Sequence, residues 1–378
     1  MVSSMKALLA VRNLRRSGGR LWVSLFGIAF ATFLMCVQGS LLHSFTRAAS
    51  RIVDAVEADL WIVGKGTPTF DYVSPIPERY AFIALGTDGV RSAGRGVAGW
   101  APIQLPNGDR TAVMIVGVED GYRGRIPGVA GLAAARGLSD SGFVLDRTDA
   151  RTLGYHGALE TAQVAARRGY LLAEITGFAS FLGSPRIFAD YADAHRFLRM
   201  ERTQASFILL HVAAGHDPAT VRETLRTRLA DVDVWTTAEF SQRSRTFWLI
   251  QTGAGGALTL AAILGFALGL VLVAQTIYSI TAENIEEYAT MKAMGASNGD
   301  VRLVVLIQSL ICGVLGGIAG LLLVEPYAEA SRAIVTWMAV PYWMYGVTAV
   351  LLALMCVLAS LIAARPAVRV DPGRVFRA

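Results

Sequence analysis

One short stretch gathers most of the side chains whose types and spacing suggest chemistry: ENIEEYATMKAMGASNGD, residues 283–300. Glu283, Glu286 and Glu287 cluster ahead of Lys292. They include no His, Cys or nucleophile–base pair. Ile285, Tyr288, Met291 and Met294 recur at threes and make one apolar side. Gly295 fits a helix stop, and Ser297 with Asp300 fits a capping box that opens the next helix. The stretch predicts a short amphipathic helix, a stop and a restart. A charged cap on a hairpin of two membrane helices would look much the same.

Other candidate chemistry is sparse. His43 lies at the outer end of the first apolar run, and Glu325 precedes Pro326 and Tyr327 near the end of the third. A carboxylate at membrane depth is a functional candidate, whereas a lone interfacial His is more often an amphipathic anchor. His156, His195, His211 and His216 have no metal-ligand spacing. The chain contains no G-x-x-x-x-G-K-[ST] phosphate loop; VGKGT lacks its leading Gly and its Ser or Thr. No Ser-His-Asp set and no paired carboxylates can be argued. The residues thus point away from an enzyme, with no cofactor or metal held by this chain.

The elements that carry these residues are set by hydropathy. The chain has 378 residues, 53% hydrophobic and 17% charged, with mean hydropathy +0.46. Asp, Glu, Lys and Arg are absent from 21–46, 246–282, 303–324 and 333–364. About 20 apolar residues cross a bilayer, so four transmembrane helices are predicted. The first could be a cleaved signal, but its apolar part exceeds a signal core and an anchor is favoured. Lys6, Arg12, Arg15, Arg16 and Arg20 precede it, and Arg365, Arg369, Arg374 and Arg377 follow the last. By the positive-inside rule both ends are cytoplasmic. The net charge of +6 and pI near 9.4 then reflect topology and require no nucleic acid. The layout is a basic N-terminus at 1–20, spans at 21–46, 246–282, 301–324 and 341–364, an extracytoplasmic domain at 47–245, a cytoplasmic loop at 283–300, a short outer loop at 325–340 and a basic C-terminus at 365–378. Cys36, Cys312 and Cys356 all fall in spans, so the outer domain has no disulfide framework.

The fold class is an α-helical membrane protein with four transmembrane helices and a mixed α+β extracytoplasmic domain inserted between helices 1 and 2. RAASRIVDAVEADLWIVGKG continues the first span as a helix and turns into a strand at DLWIVG. TAVMIVGVED, GFVLDRTDAR and QASFILLHVAAG read as strands, and YADAHRFLRM as a short helix. DPATVRETLRTRLADV reads as a helix with Asp217 as N-cap, Pro218 at N1, and Val221, Leu225 and Leu229 on one face. DVWTTAEF reads as a closing strand and turn. The run 246–282 is 37 residues, about 55 Å as one helix against a hydrocarbon core of about 30 Å. It is either a rod reaching into the outer domain or a helix broken at Gly253, Gly255 and Gly256. Gly265 with Gly269, Gly313 with Gly317, and Gly316 with Gly320 are small-xxx-small pairs that predict close helix packing, within the chain or with a second copy.

The loop EYATMKAMGAS followed by VRLVVLIQSLICGVLGGIAG resembles FtsX-like, MacB-type ABC transporter permeases. So do the tail ARPAVRVDPGRVFRA and the start AVRNLRRSGGRLWVSLFGIAFA. ADLWIV, VLDRTDARTLGY, GFASFLGSPRIFADYADAHRFL and TTAEFSQRSRTFWLIQTGAGG resemble the DevC-type branch, although GAS in the loop is closer to the wider family. The resemblance implies a permease subunit in the bacterial inner membrane, dimeric with a second copy, driven by two copies of a separate ATPase that binds ATP and Mg. It implies an exporter that relays ATP-driven motion through the second helix to the outer domain. The cargo would be a hydrophobic or amphipathic molecule such as a lipid, glycolipid or haem, from membrane lipid or the periplasm. A membrane-fusion adaptor and an outer-membrane channel would complete it. The alternative is an FtsX-like signalling device acting on a partner such as a cell-wall hydrolase. The loop would be the coupling helix, with Glu283, Glu286, Glu287, Tyr288, Lys292 and Met294 touching the ATPase and Gly295 fixing the turn. Haem export in the family is the reason to group His43, Glu325 and Tyr327 as a substrate set.

Overall fold

A computed structural model describes residues 18–105, 107–126, 142–155, 160–165, 167–332 and 334–369. Lys6, Arg12, Arg15, Arg16, His156, Arg374 and Arg377 lie outside these residues. In chain order the elements are α1 (Gly18–Ala55), β1 (Leu60–Gly64), β2 (Ile76–Pro77), α2 (Arg79–Leu85), β3 (Val90–Gln104), β4 (Arg110–Val118), β5 (Gly142–Asp146), α3 (Arg147–Thr152), β6 (Thr161–Val164), β7 (Arg167–Ile175), β8 (Arg186–Asp190), α4 (Tyr191–Leu198), β9 (Gln204–Ala205), β10 (Phe207–Val212), α5 (Pro218–Arg228), β11 (Val232–Thr236), α6 (Thr237–Thr246), α7 (Gly253–Glu283), α8 (Ile285–Ala293), α9 (Asn298–Leu322), α10 (Val324–Ser331) and α11 (Tyr342–Arg369). The chain divides into a helical unit, through Ser44 plus 256–332 and 338 onward, and an α+β unit, 45–255 plus 333–337.

The α+β unit is built on alternation. In β1 and β10, Trp61, Val63, Phe207 and Leu209 face one core with Ile52 and Val53 of α1, Val56 just after it, and Phe240 of α6. Leu60, Ile62, Ile208 and Leu210 face the other, with Val221 and Leu225 of α5. A strand buried on both faces reads as an unbroken apolar run, as LWIVG and FILL do. The order β11-β1-β10-β3, antiparallel throughout, with α2 after β1 and α5 after β10, is a split βαβ pair. Between β3 and β10 the chain inserts a second body. β3 runs on past the open sheet and pairs with β4; the order continues β4-β8-β5-β7-β6, and β6 returns to β3. These six strands close a small barrel around Val97, Ile103, Val113, Ile115, Phe143, Leu145, Leu171 and Ile187.

Several sequence expectations resolve here. DLWIVG, TAVMIVGVED and QASFILLHVAAG contain strands, and Asp217 caps α5 through its side chain, accepting from the Thr220 amide. In GFVLDRTDAR only Gly142–Asp146 is strand; Asp146 caps the following turn of helix by accepting from Thr148. Strand β3 carries no obvious sequence signal, because VRSAGRGVAGWAPIQ is glycine-rich. The reason is steric: a Cβ at Gly96 would come within 1.9 Å of Phe207 Cε2. Among the described residues, three non-glycines adopt left-handed backbone, Ala165, Leu182 and Arg199, each at a cost of about 1–2 kcal/mol.

The run 246–282 is a broken helix. After α6 the chain makes one wider, π-type turn over Phe247–Gln251, and Thr252 is extended (φ −108°, ψ 146°). Thr252 Oγ1 accepts from the Gly255 amide at 3.3 Å and so restarts the helix. A Cβ at Gly255 would lie 2.1 Å from the Trp248 carbonyl, so glycine permits the tight reversal. The rod reading is therefore corrected. The long unbroken helix is α1, 38 residues or about 57 Å.

Among the described residues, four helices are long and apolar enough to cross a membrane: Leu25–Ala55, Gly253–Glu283, Asn298–Ser331 and Tyr342–Arg369. Ile28, Ala31, Val273, Ile277, Val304, Val305, Met355 and Ala359 form their shared core. Two glycine pairs on α9 address two different neighbours. At Gly313 and Gly317 an added Cβ would come within 2.6 Å of Cys356 and Leu352 on α11. At Gly316 and Gly320 it would reach Ile28 at 2.8 Å and the Ala29 carbonyl at 2.3 Å on α1. Gly265 and Gly269 of α7 meet α1 at ordinary contact distances, 3.4 Å to Gln38 and 3.6 Å to Ala31. All three pairs pack within this chain. α7 stays largely exposed, with Leu260, Ile263, Leu268 and Val271 each more than half open.

Candidate coupling site

The charged stretch 283–300 folds as α8 between two long helices. Asn284 makes the corner. Its side-chain amide donates to the Ile280 carbonyl of α7 at 2.8 Å, satisfying an orphan of the last turn. Its own carbonyl accepts from the Glu287 and Tyr288 amides and starts α8. Asn284 carries no charge and does not stand out in the sequence, although Asn is a known corner residue.

At the far end, Gly295 has φ +96°. Its amide donates to the Lys292 carbonyl and the Ala296 amide to the Met291 carbonyl, both at 3.0 Å, which is the paired bonding of a Schellman stop. Ser297 then opens α9 with a complete capping box: its Oγ accepts from the Asp300 amide and Asp300 accepts from the Ser297 amide at 2.9 Å. The predicted helix, stop and restart are all present.

The side chains divide between inside and outside. Tyr288 is fully buried, and its hydroxyl donates to Gln308 Oε1 of α9 at 2.7 Å. It therefore does not offer a surface to a partner; that expectation is corrected. The threefold apolar spacing read from sequence has its middle members turned inward, with Met291 packed on the same core. Lys292 is half-buried, and its ammonium donates to the Val368 carbonyl at 2.8 Å, in the last turn of α11. A cation on terminal carbonyls also complements the helix dipole. α8 is thus fastened to α9 by a tyrosine and to α11 by a lysine. Glu283, Glu286, Met294 and Gly295 are exposed, and Glu287 is half-buried. Met294 is 76% exposed, an unusual state for that side chain.

His43, Glu325 and Tyr327 do not form a set. His43 meets the Trp343 ring edge-on at 4.9 Å. Tyr327 meets Phe33 at 5.3 Å. Glu325 accepts from the Tyr345 hydroxyl at 3.1 Å and pairs with Arg332 at 3.5 Å. Pro326 fits just inside α10, where a missing amide costs nothing. Each of the three residues has its own structural partner. Among the described residues no group of His, Cys, Asp and Glu could hold a metal ion.

The α+β unit holds a buried cluster that sequence reasoning missed. Arg186 pairs with Asp71 at 3.0 Å, both nearly inaccessible, and the Trp248 indole donates to the same carboxylate at 3.0 Å. Beside it, the Ser180 carbonyl accepts from the Thr336 hydroxyl at 2.9 Å, and Phe181 packs near Phe45, Trp248 and Trp337. The segment after α10 is thereby held to GFASFLGS. These residues are far apart in sequence and of ordinary types, so spacing could not reveal them.

Two family models match. The FtsX-like permease C-terminal model covers residues 259–372, which include α8 and its fastenings. The MacB-like periplasmic core domain model covers residues 21–228, more than half of the chain. No curated protein matches. Among solved structures, the periplasmic region of MacB from Actinobacillus actinomycetemcomitans is 10% identical, covering 50% of this chain and 94% of that one, with a TM-score of 0.37. The extracellular domain of the noncanonic ABC-type transporter YknZ from Gram-positive bacteria is 8% identical, covering 47% and 98%, with a TM-score of 0.33. With the four apolar helices, the α+β domain between the first two, and both family models in register with them, the chain belongs to the FtsX-like, MacB-type family of ABC transporter permeases.

Proposed function

We propose that this permease is driven by a separate ABC ATPase, present in two copies beside two copies of this chain, and that α8 is the element the ATPase grips. The observation that carries the reading is the division of α8. One side is fastened to α9 and α11 through Tyr288 and Lys292, and the other presents Glu283, Glu286 and Met294 to solvent. A lever needs both a fixed end and a handle. Exposed carboxylates would set register on a basic groove, and Met294 would fill an apolar notch. Both termini would be cytoplasmic, on the ATPase side, with ATP and Mg bound in the ATPase.

The cargo class is a hydrophobic or amphipathic molecule, such as a lipid, glycolipid or haem, passed on through a periplasmic adaptor and outer-membrane channel. This part follows the DevC-type resemblance. The break at Thr252 argues against a rigid second helix as the relay. Motion of α8 would instead enter the bundle through α9 and α11.

The test is co-purification with the ATPase and stimulation of its turnover. Glu286→Lys together with Met294→Glu should abolish both while the chain remains inserted and folded. Unchanged capture and stimulation would sink the assignment.

A further inference from the structure

The barrel of the α+β unit has a cavity of about 400 Å³ that the coupling reading does not use. Trp100, Gln104, Arg110, Gln163, Ala165 and Arg199 are among its lining residues. Its chemistry follows from strand register. Gln104 of β3 stands opposite Arg110 of β4 on one side and opposite Gln163 of β6 on the other. Directly paired residues project from the same face of a sheet, so Arg110, Gln104 and Gln163 form one row of donors. An acid opposite Arg110 would add cross-strand stability; that place holds the amide of Gln104. No carboxylate lines the cavity among the described residues. Trp100 adds a half-exposed indole face.

The backbone at the rim is strained in favour of the same arrangement. Two of the three left-handed non-glycine residues among those described, Ala165 (φ +49°) and Arg199 (φ +51°), both line this cavity. Glycine would relieve either position. Arg199 ends α4 where glycine is the usual choice, and its guanidinium donates to the Ala165 carbonyl at 2.8 Å. The Ala165 amide in turn donates to the Pro102 carbonyl at 2.8 Å. The strained turn and the strained cap thus hold one another, and the result is a guanidinium fixed at the mouth. Strain retained at a cavity rim is a mark of a binding site.

We propose that this cavity binds a small anion carried on a planar or acyl apolar body, a carboxylate being the fitting head group. The head lies between Arg110 and Arg199 and takes hydrogen bonds from Gln104 and Gln163, and the body lies on Trp100. The chemistry resembles neither a metal site nor a nucleotide site, which would need carboxylates or a phosphate-cradling loop.

The test uses the full chain in lipid nanodiscs, titrated calorimetrically with 1-naphthoate, with the neutral 1-naphthylmethanol, and with an acetylated Asp-Glu-Asp-Phe peptide, against empty nanodiscs. Naphthoate should bind once per chain and naphthylmethanol at least tenfold more weakly. Arg199→Gly relieves the backbone while removing the cation, and should weaken naphthoate at least tenfold; Arg110→Gln, at an exposed position, should do likewise. Trp100→Ala should weaken naphthoate and naphthylmethanol alike. Absent or unsaturable naphthoate binding, equal binding of the alcohol, or indifference to Arg110→Gln would overturn the proposal. Tighter binding of the peptide would replace the small anion by a protein partner and also overturn it.

Discussion

At the scale of single residues, the most informative position is Tyr288. Its type and spacing gave it a place on a contact surface, and burial turned it inward. Gln308 has a buried side-chain nitrogen with no hydrogen-bond partner among the described residues, so Tyr288→Phe would leave the amide with neither end satisfied, at about 1–2 kcal/mol. The expected outcome is an ATPase that binds as before but is stimulated several-fold less. Equal stimulation by the variant and the parent would show that the bond transmits nothing. Asp149 gives a prediction in pH. It is buried, its carboxylate accepts from the Ser180 amide at 3.0 Å, and burial pushes its pKa up to about 6. The folded chain therefore holds this proton more tightly than the unfolded chain, for which the value is 3.8. The stabilisation is full below 3.8 and is lost as pH rises through about 6. Asp149→Asn should remove that loss, raising stability at pH 7.5 by about 3 kcal/mol and changing little near pH 4. Parallel pH profiles for thermal unfolding of variant and parent would refute it. Neither position was legible in sequence, since both depend on what lies above them in the folded chain. Gly295, Ser297 and Asp300 were legible, because a stop and a cap are local chemistry.

At the scale of elements, the four spans and the capped helices followed from hydropathy and end signals. What was missed was one of the roles of glycine, its place in β3. In β3 glycines sit in a strand because Phe207 and Tyr122 need the room; at the start of α7 they allow a sharp turn; in α9 they let two helices approach. One residue type serves three purposes, decided by neighbours that a single sequence does not display. The α9 pairs can be separated by experiment. Gly320→Ala drives a methyl against the Ala29 carbonyl and Thr32 of α1, and should cost about 1–3 kcal/mol. Gly346→Ala, where a Cβ meets open space, is the control and should be neutral or slightly stabilising. Equal denaturation midpoints in detergent for the two variants would show that α1 and α9 do not pack as described.

At the scale of the whole chain, the helical unit carries the proposed lever and the α+β unit the proposed anionic-ligand cavity, each built on its own core. The family and the order of spans and domain were legible in the residues alone. The barrel was not, because its closure depends on β6 returning to β3 and on parallel pairs between strands separated by loops and helices. That topology bears on how the molecule is made. β1 finds its two partners only in β10 and β11, the last strands of the unit, and β3 is common to the open sheet and the barrel. The first strand to emerge during synthesis must wait, apolar on both faces, until every barrel strand has followed it. Such long-range pairing is slow, so β1 stays unpaired, with both apolar faces open, until the last two strands of the unit have been made.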